Sequence, residues 1–469
     1  MTDINSIVSK IRKILRKDAG VGGDEQRLTQ IVWMMFLKIL DDKEKELELV
    51  DQNYTSPIPK EYRWRNWAAD PEGMTGKDLF DFVDKQLFPA LATIPLSENK
   101  YGNAIHSIFS DTHNYLKSGT HIRQVCNELN KVNFNKKADR DVLGDIYERL
   151  LNEMAAALNK GEYYTPRPLT RFIVEGLEPK LGEKVLDPSC GTGGFLLGVV
   201  DYVQNHEVHN QEQKRELMNS IKGVELKALP HLLATTNMIL HDVEDPSVIK
   251  RDDMLARNLT DYGPQDKVDV IIANPPFSGE IVDGTEQNFP SKFRTKSTAL
   301  LFLVLFVHLL KDGGRAGVVL PDGVLFGDGV DTEIKKELLS KCNLHTIVRL
   351  PSKTFLYAGA NTNVLFFEKG KPTKDTWFYH MKSPEGLKNY TKGRPINDGD
   401  FADIRSWWND RTENNFAHRV SIEQIEGRNF NLDIKNPNGG DLVEQLSSKE
   451  LKDKILASEN AILKLLDTL

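Results

Sequence analysis

The stretch Asp269-Val270-Ile271-Ile272-Ala273-Asn274-Pro275-Pro276-Phe277 constrains the fold more than any other in the chain. Val270, Ile271 and Ile272 form a short β-branched apolar run, the composition of a central parallel strand covered on both faces. Pro275 and Pro276 then fix two φ angles and remove two backbone donors, so the strand must stop there. Asn274 precedes a proline and is pushed to extended backbone. A side-chain amide is thereby held at the carboxyl end of a buried strand, where ligands bind in open α/β sheets. The pattern predicts a doubly wound, Rossmann-like α/β domain.

This turn suits methylation of an exocyclic amine. The amine of an adenine is a poor nucleophile because its lone pair is delocalised into the ring. The Asn274 side-chain oxygen and the Pro275 carbonyl can both accept from that NH2. This favours the pyramidal nitrogen that attacks a methyl group, a gain realised mainly in the transition state. Phe277 offers a face for a flipped base, with Pro276 completing the turn. Four such residues also recur by chance in plain strand ends, so the reading depends on what accompanies them.

Upstream lies Val185-Leu186-Asp187-Pro188-Ser189-Cys190-Gly191-Thr192-Gly193-Gly194-Phe195, a strand end, an acid, a glycine-rich turn and an apolar helix start. A nicotinamide site would require a third glycine where Leu196 stands, which disfavours that cofactor. Before it comes Gly161-Glu162-Tyr163-Tyr164-Thr165-Pro166-Arg167. These three motifs, in this order, resemble the S-adenosylmethionine-dependent DNA adenine-N6 methyltransferases, and within them the modification subunits of type I restriction-modification systems. The likeness runs through most of the chain and is strongest from Asp145 to Leu325.

The resemblance implies methyl transfer from S-adenosylmethionine to adenine N6 in double-stranded DNA. It implies catalysis by Asn274, Pro275, Pro276 and Phe277. Glu162, Tyr163, Tyr164, Thr165, Pro166 and Arg167 would close over the cofactor, and Asp187, Pro188, Gly191, Thr192, Gly193 and Gly194 would cradle it. Asp187 can balance its amino or sulfonium charge. Glu225, at the end of the apparent second strand Ile221 to Leu226, is the expected ribose ligand. Either Asp252 or Asp253 meets the cofactor adenine. The expected partners are a specificity subunit, shared by two methylase subunits, and a restriction subunit. No metal is expected.

The chain has 469 residues, enough for two or three domains. Its net charge of −7 argues against gripping DNA alone over a large surface. Cys126, Cys190 and Cys342 are too few and scattered for a disulfide framework or zinc site, which fits a reducing compartment. The start carries charges rather than an apolar signal core, and the longest apolar run, Ala299 to Leu310, is too short to span a bilayer. A cytoplasmic location without membrane association is expected.

Four segments are expected: an N-terminal helical domain at 1–138, the catalytic domain at 139–370, its extension at 371–436 and a C-terminal assembly helix at 437–469. Ile4, Ile7, Ile11, Ile14 and Leu15 share one face of a first helix, with Lys10, Arg12, Lys13, Arg16 and Lys17 on the other. That basic face is read chiefly as solvated, with phosphate contact as the alternative. Tyr62-Arg63-Trp64-Arg65-Asn66-Trp67 is read chiefly as aromatic anchors between helices, with stacking on bases or phosphates as the alternative. Thr165 is expected to cap the helix Leu169 to Leu177. Strands at Thr346 to Leu350 and Val364 to Glu368 are expected to close the far edge of the sheet. The basic burst Lys292, Phe293, Arg294 and Lys296 is the expected local DNA contact. The last segment carries Leu451, Ile455, Ile462, Leu466 and Leu469 on one stripe. Two other readings remain: a protein-glutamine methyltransferase, which uses a similar turn, and a non-catalytic assembly protein. The helical N-domain and tail count against the first, the intact catalytic and glycine turns against the second.

Overall fold

The computed structural model describes residues 4–96, 99–134, 164–277, 281–356, 360–384 and 387–438. From residue 164 onward the chain is built on one nine-stranded sheet. Its strands are β1 (Val185–Asp187), β2 (Ile221–Glu225), β3 (Ile249–Arg251), β4 (Val268–Ala273), β5 (Leu310–Pro321), β6 (Cys342–Arg349), β7 (Thr362–Lys369), β8 (Asp375–His380) and β9 (Ala417–Ser421). Their order is β3-β2-β1-β4-β5-β7-β6-β8-β9.

Strands β1 to β5 pair in parallel, whereas β7 runs antiparallel to both β5 and β6. The chain winds outward from β1 through β2 to β3, then returns to β4 and winds the other way. The carboxyl ends of β1 and β4 therefore flank the topological switch point, the crevice where open α/β sheets bind ligands. The glycine turn follows β1 and Asn274 follows β4.

The burial of β4 explains why it is apolar from Val270 to Ala273, after the half-buried Asp269 near its start. Val270, Ile271, Ile272 and Ala273 are all fully buried. Val270 and Ile272 face the core formed by helices Arg167–Leu177 and Gly194–His206, while Ile271 and Ala273 face that of Thr298–Leu309. The last helix is apolar all round because it lies wholly inside, as its sequence requires.

Strands β6 and β7 do not close the far edge, contrary to expectation. Strand β8 pairs in parallel with β6, and β9 adds an antiparallel edge. Trp377 and Tyr379 of β8 pack on Trp407, which ends helix Ala402–Asn409.

The amino-terminal part is helical, with Ile4–Leu15 and Asp24–Val50 its first two helices. Ile7, Ile11 and Leu15 enter the core, and Lys10, Lys13, Arg16 and Lys17 are exposed. Trp64 and Trp67 are buried anchors in edge contact with each other. Arg65 between them is held by Asp41 and Glu48. This helical part shares one core with Leu229, Leu232 and Leu233 of helix Ala228–Leu240. Ion pairs Lys43–Asp242 and Lys100–Asp245 fasten the same contact. The expected junction at 138/139, and the expected assembly helix from Gly439 onward, lie outside the described residues.

Candidate active site

Asn274 is buried, with 7% of its surface exposed. Its Nδ2 donates to the Thr165 hydroxyl at 3.1 Å. Its Oδ1 is buried and has no hydrogen-bond partner. An unmet buried acceptor is costly in a folded protein and marks a place where a donor is expected to arrive.

Thr165 does not cap the following helix. The helix begins at Arg167 after Pro166, without a side-chain cap and with proline in its first turn. The hydroxyl is turned toward Asn274 instead, and Pro168 removes a backbone donor that would otherwise need capping. Arg167 Nη1 donates to the Gly194 carbonyl at 2.9 Å, which clips this lead-in to the glycine turn. Glu162 and Tyr163 lie outside the described residues.

The glycine turn has positive φ at Gly191 and Gly193, 54° and 78°, which side chains rarely adopt. The helix behind it starts at Gly194. A Cβ on Gly193 would come within 2.8 Å of Met238 Cε. Asn237 donates to the Thr192 carbonyl at 3.2 Å, so helix Ala228–Leu240 braces the turn from behind.

Two buried carboxyl groups face this turn. Asp187 accepts from the Ser189 N–H through Oδ1 at 3.2 Å, but Oδ2 is buried and unpartnered, as is the Ser189 hydroxyl. Burial pushes the Asp187 carboxyl well above the ordinary value of 3.8, and the nearby Glu225 carboxylate adds to that shift. Glu225, at the end of β2, accepts from the Gly191 and Lys227 N–H groups at 3.0 and 2.7 Å. Burial still lifts it to about 7. The site thus holds two buried acids, with the Lys227 charge offsetting burial of Glu225 only in part, and is chemically suited to a ligand carrying positive charge and hydroxyl donors.

A cleft of about 200 Å³ is lined by Pro188, Gly191, Glu225, Asp252, Asp253 and Asn274, with Pro276 at its side. A smaller notch beside it is lined by Tyr164, Thr165, Arg167, Asp187, Thr192 and Gly194 and shares Gly191 and Asn274. The lining of neither includes Pro166, Gly193, Pro275 or Phe277. Phe277 is half-buried and meets Phe355 edge to face, with centroids 5.8 Å apart. Asp253 accepts from the Leu255 N–H and is half-buried, whereas Asp252 is exposed. Thr298 and Phe302 also wall the cleft. Sequence reasoning missed them because their helix is apolar throughout, which hides a ligand-facing first turn.

The basic burst is largely neutralised within the chain. Lys292 pairs with Glu337, Lys296 with Asp283, and Phe293 is buried in the core.

Sequence comparison matches residues 138–445 to the N-6 DNA methylase family and residues 4–150 to the HsdM N-terminal domain. The type I restriction enzyme EcoEI methylase subunit of Escherichia coli is 50% identical over 450 residues, spanning 94% of this chain and 91% of that one. The EcoKI methylase subunit of Escherichia coli K12 is 30% identical over 413 residues, spanning 84% and 74%. Among solved structures, a modification subunit assigned to a type I restriction enzyme of Vibrio vulnificus YJ016 superposes with a TM-score of 0.83 at 38% identity, covering 94% of this chain and 98% of that one. A chain from a structure addressing complex assembly and conformational transition of the type I restriction-modification system gives 0.81 at 34% identity, covering 99% and 96%.

Proposed function

We propose, for a chain that belongs to the type I restriction enzyme methylase subunits and hence to the N-6 DNA methylases, that Asn274 is the acceptor that activates the adenine amine and that S-adenosylmethionine is the methyl donor. The supporting observation is the pair of orphaned acceptors. Asn274 Oδ1 and Asp187 Oδ2, both buried and unpartnered, belong to residues lining the same notch.

The donor set fits S-adenosylmethionine, which supplies a methyl group on a positively charged sulfur. Asp187 would meet one of its positive charges and regain its ionised form. Glu225 is placed to accept from ribose hydroxyls while its backbone contacts keep it at the strand end. Asp252 and Asp253 border the same cleft, Asp252 accepting from the Asp253 N–H and Asp253 from the Leu255 N–H. Tyr164, Thr165 and Arg167 close the other side. At the catalytic turn, Asn274 Oδ1 and the Pro275 carbonyl accept from the amine. They stabilise the nitrogen as its lone pair localises, and Phe277 receives the flipped base.

The chain acts with partners in a type I restriction-modification system. The finer arrangement is two methylase subunits with one specificity subunit that reads the DNA site, joined by a restriction subunit in the cytoplasm. Residues 1–138 and 437–469 serve assembly around the catalytic region. The test is transfer of tritiated methyl groups to DNA with and without the specificity subunit. Label incorporated at adenine N6 of one defined site, only in the complex, is the expected result; label on protein glutamine would favour the protein-modifying reading.

A further inference from the structure

We infer that Thr165 is a positioning residue for methyl transfer: its hydroxyl holds the Asn274 amide with the oxygen, not the nitrogen, turned toward the substrate amine. This rests on the assignment of Asn274 as acceptor for adenine N6.

An amide side chain has two ends of nearly equal size and opposite chemistry, since the oxygen accepts and the NH2 only donates. An amine awaiting methylation can use only the oxygen. Strand β4 and the two prolines fix where the Asn274 side chain stands, but they do not choose its end. Rotation about the last side-chain bond exchanges the two at little steric cost. In the structure the Thr165 hydroxyl accepts from Nδ2 at 3.1 Å, which anchors the amide with Oδ1 as the open, buried acceptor. The wrong orientation would set two NH2 groups against each other.

Thr165 is itself held on both sides. Tyr164 packs against the amino-terminal helical core. Arg167 bonds the Gly194 carbonyl of the glycine turn. The hydroxyl is therefore fixed relative to both halves of the switch point. It caps no helix, so the contact with Asn274 is its structural role.

The experiment uses the complex with the specificity subunit, single-turnover methyl transfer at saturating DNA and cofactor, and calorimetry with S-adenosylhomocysteine. Thr165→Val keeps the shape and removes the hydroxyl, Thr165→Ser restores it, and Asn274→Ala is the reference. Thr165→Val should slow transfer at saturating cofactor roughly 10–100-fold, as for groups that orient a reacting side chain from behind, beyond any change in cofactor affinity. Thr165→Ser should recover most of the rate. If valine is not tolerated at this site, Thr165→Ala carries the same expectation. A folded Thr165→Val with normal rate, beside an inactive Asn274→Ala, overturns the inference and leaves Asn274 in place. A defect confined to cofactor affinity, or one that serine fails to rescue, also overturns it. Full activity in Asn274→Ala overturns the Asn274 assignment itself.

Discussion

Asn274 and Thr165, 109 positions apart in sequence, share a hydrogen bond between the amide nitrogen and the hydroxyl. This bond joins the turn after β4 to the segment leading into helix Arg167–Leu177. The glycine turn is tied to the same segment through Arg167 and to β2 through Glu225. Four pieces of chain thereby fix one small polar crevice, and every group that could touch a reacting atom is placed by another element.

Asn274→Ala should abolish methyl transfer by the complex while sparing the fold. Loss of one group that strengthens its bonds in the transition state costs roughly 10²–10³ in rate. The side chain lies at a strand end and its Oδ1 supports nothing else in the protein, so thermal stability and cofactor affinity should stay near normal. A folded variant with undiminished methyl transfer would remove Asn274 from the mechanism.

Cofactor affinity should rise with pH. Burial raises the Glu225 carboxyl from the ordinary 4.5 to about 7. A raised acid stabilises the free protein below its unfolded value and loses that contribution as pH climbs through the folded one. Between 4.5 and about 7 the free protein therefore becomes less stable as the folded carboxyl is forced to ionise. With Glu225 as the proposed ribose ligand, the hydroxyls would donate to the ionised carboxylate and the ligand would favour that form. From about pH 6 to about pH 8 the competent fraction rises about tenfold, and affinity should follow. Calorimetry across this range should show the trend in the native chain and a much weaker one in Glu225→Gln. An equal slope in both would place the titrating group elsewhere.

Gly193→Ala should destabilise the protein and blunt cofactor binding together. A side chain at φ 78° is strained, and its Cβ would press on Met238. Strain of this kind costs about 1–3 kcal/mol. Met238 is a flexible side chain and can yield, but the backbone angle cannot change without moving the start of helix Gly194–His206. Thermal melting should show a lower midpoint. An unchanged midpoint for Gly193→Ala would mean the turn relaxes freely.

The central strands and both ligand turns were legible in sequence because their signals are local. A β-branched run, an acid and a glycine or proline turn all fall within about ten residues of chain. Edge strands were not legible. Ile249-Lys250-Arg251 carries two charges in three residues and is a strand only because β2 offers it a partner. Ala417–Ser421 likewise depends on β8. The Thr165 contact has no sequence signal, since capping is the local alternative for a threonine before a helix and the competing partner lies far downstream. Basic residues near Lys292 read as free charge for the same reason: Glu337, which pairs with Lys292, is 45 residues away.

The isolated chain should bind DNA weakly and without sequence preference. Its net charge is −7. Lys292 and Lys296, downstream of Phe277, are paired with Glu337 and Asp283. Exposed pairs of this kind are worth little and can be exchanged for phosphate contacts, yet they add no net positive field before DNA arrives. Side chains reaching base edges are needed for selectivity, and no large insertion follows the catalytic turn to carry them. Fluorescence anisotropy on duplexes with and without the target site should give equal, salt-sensitive, weak binding for the chain alone. Site preference should appear only with the specificity subunit. Truncation after Gly440 removes the stripe of Leu451, Ile455, Ile462, Leu466 and Leu469, a seam that is costly to leave in water. It should impair complex formation on size-exclusion chromatography more than it lowers the melting temperature. Normal assembly by the truncated chain would make that segment an internal brace, and sequence-specific methylation by the single chain would refute the division of labour between subunits.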